Sequence, residues 1–332
     1  MKNSHDAFQL KEDKLSRRFQ VLVILGIVLV MLGAATPVPP TPTPAQAANK
    51  VIVGLQAASL GWPWYATFVD TFKARSAKEG WQLILLGANG DVATQQNQIK
   101  DLISRKPSYL LIGPIDPKAV VPGIKEAAKA KIPVVVYGNT ADKEADSYIV
   151  TYVGPDDYQQ GQDSIELLVQ ALNGKGKFAI VEGLPGQPAV INRERAYDAV
   201  LRKYPQLKMV AKQPANWDST KAVAVTEDLL TRYPDLNAIL SEDGSMTPGI
   251  VQVMKDSKKK LVIVGLGGTA NELKLVKDGS VYGTTCMGVA RIATAVADAV
   301  AKLARGEKVE KVNIVPSPKT TKANADQCPG DW

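Results

Sequence analysis

Short runs of apolar, β-branched residues alternate with helix-periodic segments from residue 50 onward, and this alternation constrains the fold more than any other feature. The segments between the runs carry apolar residues three and four positions apart, which is the spacing of amphipathic helices. Continuous apolar strands that alternate with helices are typical of a parallel sheet covered on both faces. The chain is therefore predicted to be an α/β protein with strands at residues 51–55, 81–87, 109–113, 133–138, 177–183, 238–243 and 261–267.

Two such series follow one another along the chain, and each is long enough to form a core of its own. One more helix is predicted at residues 289–304, and the sequence VNIVPSP after it offers a last short strand. The pattern predicts two doubly wound parallel-sheet lobes with several chain crossings between them. The first lobe is expected to hold residues 50–154 and 287–313, and the second lobe residues 155–286 and 314–332.

Residues 1–47 have the layout of a secretory signal with a spacer. A basic stretch precedes an apolar block at residues 19–35, a Pro/Thr segment follows, and residues 45–47 (Ala-Gln-Ala) match a small-x-small cleavage site. The apolar block is also close to the length that spans a bilayer, so it can instead remain as an uncleaved membrane anchor with a stiff extended spacer. No cysteine lies near the block, which excludes a lipid-anchored lipoprotein. In both cases the chain from residue 50 is expected to be exported and to work in the periplasm or on the extracytoplasmic face.

Charge and histidine content argue against several classes of function. The net charge is +7, and the basic residues after residue 50 are scattered apart from a cluster at residues 258–260, whereas a nucleic-acid-binding protein would show a basic stripe. The single histidine, His5, lies in the leader, so the rest of the chain has none for a metal site or a general base. Residues 265–269 (GLGGT) lack the Gly-x-Gly-x-x-Gly spacing of a nucleotide-binding loop. We therefore expect no nucleic-acid partner, no cofactor and no metal.

Candidate ligand residues are those that directly follow the predicted strands, because ligands of doubly wound sheets bind beyond the carboxyl ends of the strands. When two such lobes face each other, these ends line one cleft. The positions to consider are residues 58–65, 113–116, 137–140, 182–183, 216–218, 242–244 and 266–268.

The same junctions carry a recognisable pattern. Trp-Pro-Trp-Tyr follows the first strand at residues 62–65, LLIGPID occupies residues 110–116, and Arg-Glu-Arg occupies residues 193–195. Between the first two lies the stretch GANGDVATQQNQIKDLI at residues 87–103. In order and spacing, these elements resemble the periplasmic sugar-binding proteins of the ribose/galactose type, which are the substrate-binding components of ABC importers. The resemblance implies the type I periplasmic binding protein fold, in which a multi-crossing hinge joins the lobes.

Carried over position by position, the resemblance implies a ligand site of aromatic clamps and a few polar groups. The clamps are Trp64 and Tyr65 from the first lobe and Trp217 from the second, because sugars pack their C–H faces on aromatic rings. Trp62 adds apolar surface beside them. The family's ligand-binding arginine falls on Arg195, whose rigid fork can donate to two hydroxyls. The other implied ligand residues are Asp116, Asn139, Asp157, Asp243, Gly267 and Met287.

Several of these positions depart from the family pattern. The Asp-Arg pair that the family has after the fourth strand reads Gly138-Asn139 here. The family's aspartate after the hinge-side strand reads Gly267, and its pocket glutamine reads Met287. Ribose hydroxyls would remain unpaired at these positions, at a cost of about 1–3 kcal/mol each. We therefore expect the fold and the transport role to carry over, with a ligand other than ribose.

Structural alternatives exist for several of these residues. The aromatic clamps can be core residues, although their place in loops after strands favours the pocket. Arg195 can be a surface residue paired with Glu194 or Asp198. Asp157 and Asp243 can be helix N-caps, since each begins a helical segment.

The resemblance implies a monomeric extracytoplasmic solute-binding protein that closes around one small sugar-like ligand and docks on ABC permease subunits. The alternative is a sensory receptor of the same fold, which presents its ligand to a chemoreceptor, a sensor kinase or an autoinducer importer. A repressor of the lac type would need an amino-terminal helix-turn-helix, where this chain has a signal segment. An enzyme is not expected, because no Gly-x-Ser-x-Gly elbow or phosphate-binding loop is present.

The two cysteines, Cys286 and Cys328, are expected to form a disulfide, because an exported chain enters an oxidising compartment and no other partner exists. In the family's layout both approach the hinge from different parts of the chain. The alternative is a pair of unrelated thiols. A bond requires a Cα separation of about 4.4–6.8 Å. No role is predicted for Trp332.

Overall fold

The structure, a computed structural model, describes residues 50–332. The predicted signal and spacer, residues 1–47, lie outside the described residues. None of the helices between residues 50 and 332 has the length and apolarity needed for a membrane crossing. The described residues form two six-stranded sheets flanked by helices.

The first sheet has the strand order β11-β5-β4-β3-β1-β2, and all its neighbouring strands are parallel. Helices α1, α2 and α3 connect its strands, and α9 packs on α1 from the later part of the chain. The elements of this lobe are β1 (Ile52–Ala57), α1 (Pro63–Lys78), β2 (Gln82–Gly87), α2 (Val92–Ser104), β3 (Tyr109–Ile112), α3 (Val121–Lys129), β4 (Val134–Tyr137), a 3₁₀ turn (Lys143–Tyr148), β5 (Ile149–Gly154), α9 (Val289–Ala304) and β11 (Val312–Ile314).

The second sheet has the order β12-β10-β9-β8-β6-β7, and it is parallel except for β12, which runs antiparallel to β10. Its elements are α4 (Asp157–Leu172), β6 (Gly176–Glu182), α5 (Pro188–Leu201), β7 (Leu207–Pro214), α6 (Ser219–Arg232), β8 (Ala238–Ser241), α7 (Thr247–Ser257), β9 (Val262–Val264), α8 (Ala270–Asp278), β10 (Gly283–Thr285), β12 (Lys319–Thr321) and a 3₁₀ turn (Ala325–Gln327).

Each sheet is buried on both faces, as its continuous apolar strands predict. Along β3 and β4, Leu111 and Val135 pack in the cluster under α1 and α9, whereas Leu110 and Val134 pack in the cluster on the opposite face. All four are inaccessible to solvent. Burying a side chain of this size contributes about 1.5–3 kcal/mol, so these two layers hold the strand ends in fixed positions.

Three connections join the two sheets, after β5, after β10 and after β11. The prediction of an α/β protein with two doubly wound lobes and a multi-crossing hinge is confirmed. The predicted lobe boundaries remain a prediction. They assign Ile314 to the second lobe, whereas in the structure Ile314 pairs with Gly154 in the first sheet.

The apolar runs from which strands were predicted do not include β5, β7, β10 or β12. β7 is an edge strand, and most of its residues are at least partly exposed, including Lys208 and Met209. It therefore lacks the continuous apolar run of an internal parallel strand. β12 has only three residues, Lys-Thr-Thr, and its pairing with β10 is not visible in local sequence.

Candidate functional site

A cleft of about 550 Å³, including its open mouth, lies between the two lobes at the carboxyl ends of the strands. Its walls are loops that follow β1, β4 and β5 in the first lobe and β6, β7 and β8 in the second. Its place is typical of small-molecule sites in doubly wound folds. The lining residues are Trp62, Pro63, Trp64, Tyr65, Gly138, Asn139, Pro155, Asp157, Gln187, Ala189, Arg193, Trp217, Asp243, Ser245, Met287 and Trp332.

The first wall of the cleft is aromatic and lies at the amino-terminal end of α1. Pro63 occupies the first turn, where its fixed φ and missing N–H suit the start of a helix. Trp64 stacks on Phe68 with ring centroids 5.4 Å apart and meets Tyr65 edge-on at 4.8 Å. The Trp64 indole N–H donates to the Met287 sulfur at 2.9 Å. The Trp64 ring therefore has a fixed orientation and presents carbon atoms rather than its N–H to the cleft.

The facing wall carries Trp217, in the loop after β7. Its backbone has φ of +63°, which a bulky residue rarely adopts, and its indole N–H donates to the Gln187 side-chain oxygen at 2.7 Å. A Cβ at Gly183 would overlap the Trp217 ring, so only glycine leaves room for the ring there. The Arg193 guanidinium lies 5.9 Å from the ring centroid, within the range of a cation–π contact.

A buried ion pair crosses the floor of the cleft. Arg193 donates to the Asp157 carboxylate at 3.2 Å, to the Gln160 side-chain oxygen at 3.0 Å and to the Glu242 backbone carbonyl at 2.9 Å. Arg193 and Asp157 are each 4% exposed. Asp157 comes from the first turn of α4, whose N-cap is Asp156, so the Asp157 side chain is directed to the ion pair instead of capping the helix.

Some buried polar atoms of residues around the cleft have no hydrogen-bond partner in the protein. Among residues 50–332, the second Asp157 oxygen, Arg193 Nε and the Tyr65 hydroxyl are buried without a hydrogen bond. An unsatisfied buried polar group costs about 1–3 kcal/mol, which a ligand that supplies the missing partner would recover. All three residues line the cleft, and hydroxyl groups, which both donate and accept, have the chemistry to pair with such atoms.

Burial raises the pKa values of the acidic groups around the cleft. It raises the pKa of Asp157 to about 6, although the Arg193 charge opposes the shift. It raises the pKa of Asp243 to about 6, against hydrogen bonds from Ser245 that lower it. Burial also raises the pKa of Glu242, directly beside the site, to about 7. The cleft therefore changes its charge at mildly acidic pH.

The structure brings together most of the residues that the sequence indicated. Asn139 lines the cleft and donates to the Pro114 carbonyl at 3.0 Å. Asp243 does not cap a helix; its carboxylate accepts from the Ser245 backbone N–H at 2.8 Å. The predicted residues that line the cleft are Trp62, Trp64, Tyr65, Asn139, Asp157, Trp217, Asp243 and Met287.

Arg195 does not lie in the cleft, and its expected place is taken by Arg193. Both are on α5, but residues two positions apart point to nearly opposite sides of a helix. Arg195 is exposed, where it donates to Asn192 at 3.2 Å and lies over the Tyr158 ring. Of the Arg-Glu-Arg pattern, the structure therefore brings Arg193 to the cleft and leaves Arg195 on the surface of α5.

Asp116 and Gly267 also do not line the cleft. The Asp116 carboxylate accepts from the backbone N–H groups of Lys118 and Ala119, at 2.8 Å each, and so closes a local turn. Gly267 lies behind the Trp332 ring. No role was predicted for Trp332, which lines the cleft. Sequence reasoning missed Trp332 because no local pattern links it to the cleft.

Cys286 and Cys328 are joined in a disulfide, with their Cα atoms 5.7 Å apart, inside the expected range. Both are buried and pack with Leu273. The bond fastens residues 328–332, which include Trp332, beside the cleft.

Comparisons with known proteins agree with this geometry. A family model described as "Periplasmic binding protein domain" matches residues 53–308. The chain is 31% identical over 264 residues to a xylitol-binding protein of Mycolicibacterium smegmatis, covering 78% of this chain and 73% of the relative. It is 27% identical over 299 residues to the ribose import binding protein of Bacillus subtilis, and the alignment covers 89% of this chain and 96% of the relative. A solved ABC transporter solute binding protein from Mycobacterium smegmatis, with bound glycerol, aligns with a TM-score of 0.77 at 27% identity. The alignment covers 84% of this chain and 96% of that protein.

Proposed function

The chain belongs to the periplasmic binding protein domain family, and on this premise we propose that it captures a sugar or sugar-like ligand in the cleft between its lobes. It delivers that ligand, as the binding component of an ABC importer, to the permease subunits at the outer face of the membrane. Its relatives of 27–31% identity are named for ribose import and xylitol binding, which supports this class of ligand.

The observation that carries the proposal is the combination of aromatic walls with a buried polar floor. Trp64 and Trp217 flank a patch in which Asp157, Arg193 and Tyr65 each hold an unpartnered polar atom. A sugar has the complementary surface, since its C–H faces pack on rings and its hydroxyls donate and accept hydrogen bonds. A purely apolar ligand would leave the floor unsatisfied.

Roles follow from these contacts. Trp62, Trp64 and Trp217 pack on the ligand ring, while Asp157 and Arg193 bind hydroxyls. Asn139, Asp243 and Tyr65 supply further hydrogen bonds, and Met287 fixes Trp64 through its sulfur. These groups come from both lobes, so a ligand that binds all of them favours the closed arrangement and shifts the population toward it.

The wider setting follows the family. Family members are transport binding proteins, so the chain acts by binding and release rather than by catalysis. Export by the leader places residues 50–332 outside the cytoplasmic membrane, either free or held by residues 19–35. One protomer contains the complete cleft, so a monomer suffices for binding.

Calorimetric titration of the full chain with pentoses, hexoses and polyols tests the function. At least one neutral sugar or polyol should bind with one-to-one stoichiometry and raise the melting temperature by mass action. Binding of only peptides, inorganic anions or metal ions would overturn the proposal. The same titration on Arg193→Ala, with Arg195→Ala as the matched control, separates the cleft from the surface of α5.

A further inference from the structure

The indole of Trp332 forms one end of the cleft, although it is 45 residues from Met287, the preceding lining residue in the chain. Its N–H donates to the Gly267 carbonyl at 3.1 Å and to the Met287 carbonyl at 3.2 Å. Both acceptors are backbone groups at the hinge-side ends of the second sheet. The ring is therefore held in one orientation by the frame of the lobe.

Residues 328–332 are fastened at several further points. The Asp331 carboxylate accepts from the backbone N–H groups of Val289 and Ala290, at 3.1 Å each, at the start of α9. The Ala270 N–H donates to the Trp332 carbonyl at 3.2 Å, and Cys328 is bonded to Cys286. A segment with this many anchors is a fixed part of the wall rather than a loose end.

Two glycines make room for this segment. Gly267 has φ of +129°, and a Cβ there would lie 2.5 Å from Trp332 Cζ2. Gly268 has φ of +71°, and a Cβ there would lie 2.9 Å from the Cys328 sulfur. The Trp332 indole thus occupies the space into which a side chain at position 267 would project.

The two indoles and Met287 offer an apolar surface at this end of the cleft. The Trp332 N–H is bonded to backbone carbonyls, and the Trp64 N–H is bonded to the Met287 sulfur. Both indoles therefore present carbon atoms, and Met287 presents its aliphatic side chain beside them. The polar atoms of Asp157 and Arg193 that lack partners belong to the floor instead.

We propose that Trp332 is a specificity-determining residue, which closes one end of the cleft and selects ligands whose facing group is small and lacks a hydroxyl. The inference rests on the proposed sugar-binding function and deepens it. In the proposed orientation the ring hydroxyls of a pyranose pair with the polar floor, and the exocyclic substituent at C5 faces Trp332. The ligand class is then a pentose or a 6-deoxyhexose, and an ordinary hexose is disfavoured.

Two effects discriminate against the hexose hydroxymethyl group. Its hydroxyl would be buried without a partner against ring carbons, and its extra bulk would meet the indole. A site without partners for one ligand hydroxyl discriminates by about tenfold or more. Removing the indole would open the end of the cleft to water and remove both penalties.

Two homologous series of sugars test the inference by calorimetry on the full chain with its disulfide oxidised. One is L-arabinose, D-fucose and D-galactose; the other is D-xylose, D-quinovose and D-glucose. Within each series the ring configuration is constant, and C5 carries hydrogen, methyl or hydroxymethyl. The measured quantity is the ratio of association constants for the methyl and hydroxymethyl members, which a general loss of stability would not change.

In a series that binds, the wild-type chain should favour the methyl over the hydroxymethyl member by about tenfold or more, and Trp332→Ala should reduce this ratio to about threefold or less. Trp332→Phe keeps an aromatic wall and should keep most of the ratio. Trp81→Phe is the matched control, since Trp81 packs on Phe72 away from the cleft, and should leave the ratio unchanged.

An unchanged ratio in Trp332→Ala, or a wild-type preference for the hydroxymethyl member, would overturn the role of Trp332 while the sugar function stands. A wild-type chain that binds another sugar or a polyol but no member of either series would overturn the inference alone. A wild-type chain that binds no sugar or polyol would overturn the proposed function and this inference with it. If Trp332→Ala does not fold, Trp332→Leu serves in its place, because it keeps an apolar side chain and removes the ring.

Discussion

Arg193 and Asp157 form an ion pair at 3.2 Å in which each residue is 4% exposed and each retains one polar atom without a protein partner. The pair is therefore expected to have two roles. Each charge compensates the buried charge of the other, and under the proposed function the unpartnered atoms bind ligand hydroxyls. Both roles can be tested on the same residue.

Arg193→Ala should abolish measurable sugar binding and lower the free energy of unfolding by about 3–5 kcal/mol, because it leaves Asp157 buried without its partner. Arg195→Ala should change the unfolding free energy by no more than about 0.5 kcal/mol, since its side chain is exposed. Urea unfolding and calorimetric titration measure the two effects. Equal losses in both variants would show that α5 is rotated relative to the structure.

Protonation of Glu242 should make the ligand-free protein more stable at mildly acidic pH. Burial raises its pKa from 4.5 to about 7, so the native state holds the proton more tightly than the unfolded chain does. The stabilisation from this group is complete below pH 4.5 and is lost as pH rises through about 7.

Glu242→Gln should therefore flatten the fall in unfolding free energy between about pH 5 and 8, because the amide does not titrate. Glu227→Gln, an exposed position on α6, serves as the control. Urea midpoints measured across this pH range give the slope for each variant. A slope in Glu242→Gln that matches wild type would contradict the assignment.

Trp217→Ala should weaken sugar binding by about 1–3 kcal/mol, the range for large aromatic contacts in a desolvated site. Gly183→Ala should weaken binding as well, although position 183 need not touch the ligand, because its Cβ would displace the Trp217 ring. Titration calorimetry compares both variants with wild type. If Gly183→Ala binds the sugar as tightly as wild type, sugar binding does not depend on the position of the Trp217 ring in the structure.

Ribose should bind weakly. Gly138 cannot be replaced by a polar side chain in this backbone, since a Cβ there would lie 2.8 Å from the Trp64 ring, and Met287 offers no strong hydrogen bond. With each unpaired hydroxyl costing about 1–3 kcal/mol, we expect at least about a hundredfold weaker binding for ribose than for the preferred sugar. Micromolar ribose binding would mean that other residues replace the missing partners.

Breaking the disulfide should lower stability. The Cys286–Cys328 bond closes a loop with a sequence separation of 42, which corresponds to about 4 kcal/mol in the chain-entropy model. The double variant Cys286→Ser/Cys328→Ser should show a correspondingly lower urea midpoint. A reducing agent should lower the midpoint of wild type and leave the double variant unchanged; equal midpoints for all samples would indicate that the loop is already ordered when unfolded.

The fold followed from the sequence because most internal strands are continuous apolar runs and most helices have an apolar stripe, and both signals are local. The edge strand β7 lacked that signal, since solvent covers much of it. Most of the cleft also followed, because the carboxyl ends of parallel strands must meet at one edge of a sheet.

The differences between the predicted site residues and those that line the cleft have two physical causes. Choosing between Arg193 and Arg195 requires the rotational phase of α5, which a weakly amphipathic helix does not reveal. Finding Trp332 requires a contact across 65 residues, to Gly267, that no periodicity encodes. Gly267 was read as a lost polar group, whereas Gly267 and Gly268 leave the space that residues 328–332 occupy.

The disulfide also changes how the chain responds to a protease. Both cysteines lie beside the second sheet, but the covalent ring between them includes α9 and β11, which belong to the first lobe. A single cut in the exposed turn around Gly306, between α9 and β11, would therefore leave the two fragments joined. They would migrate as one species without reductant and as two with it, so neither lobe can be released by one cleavage there while the bond is intact.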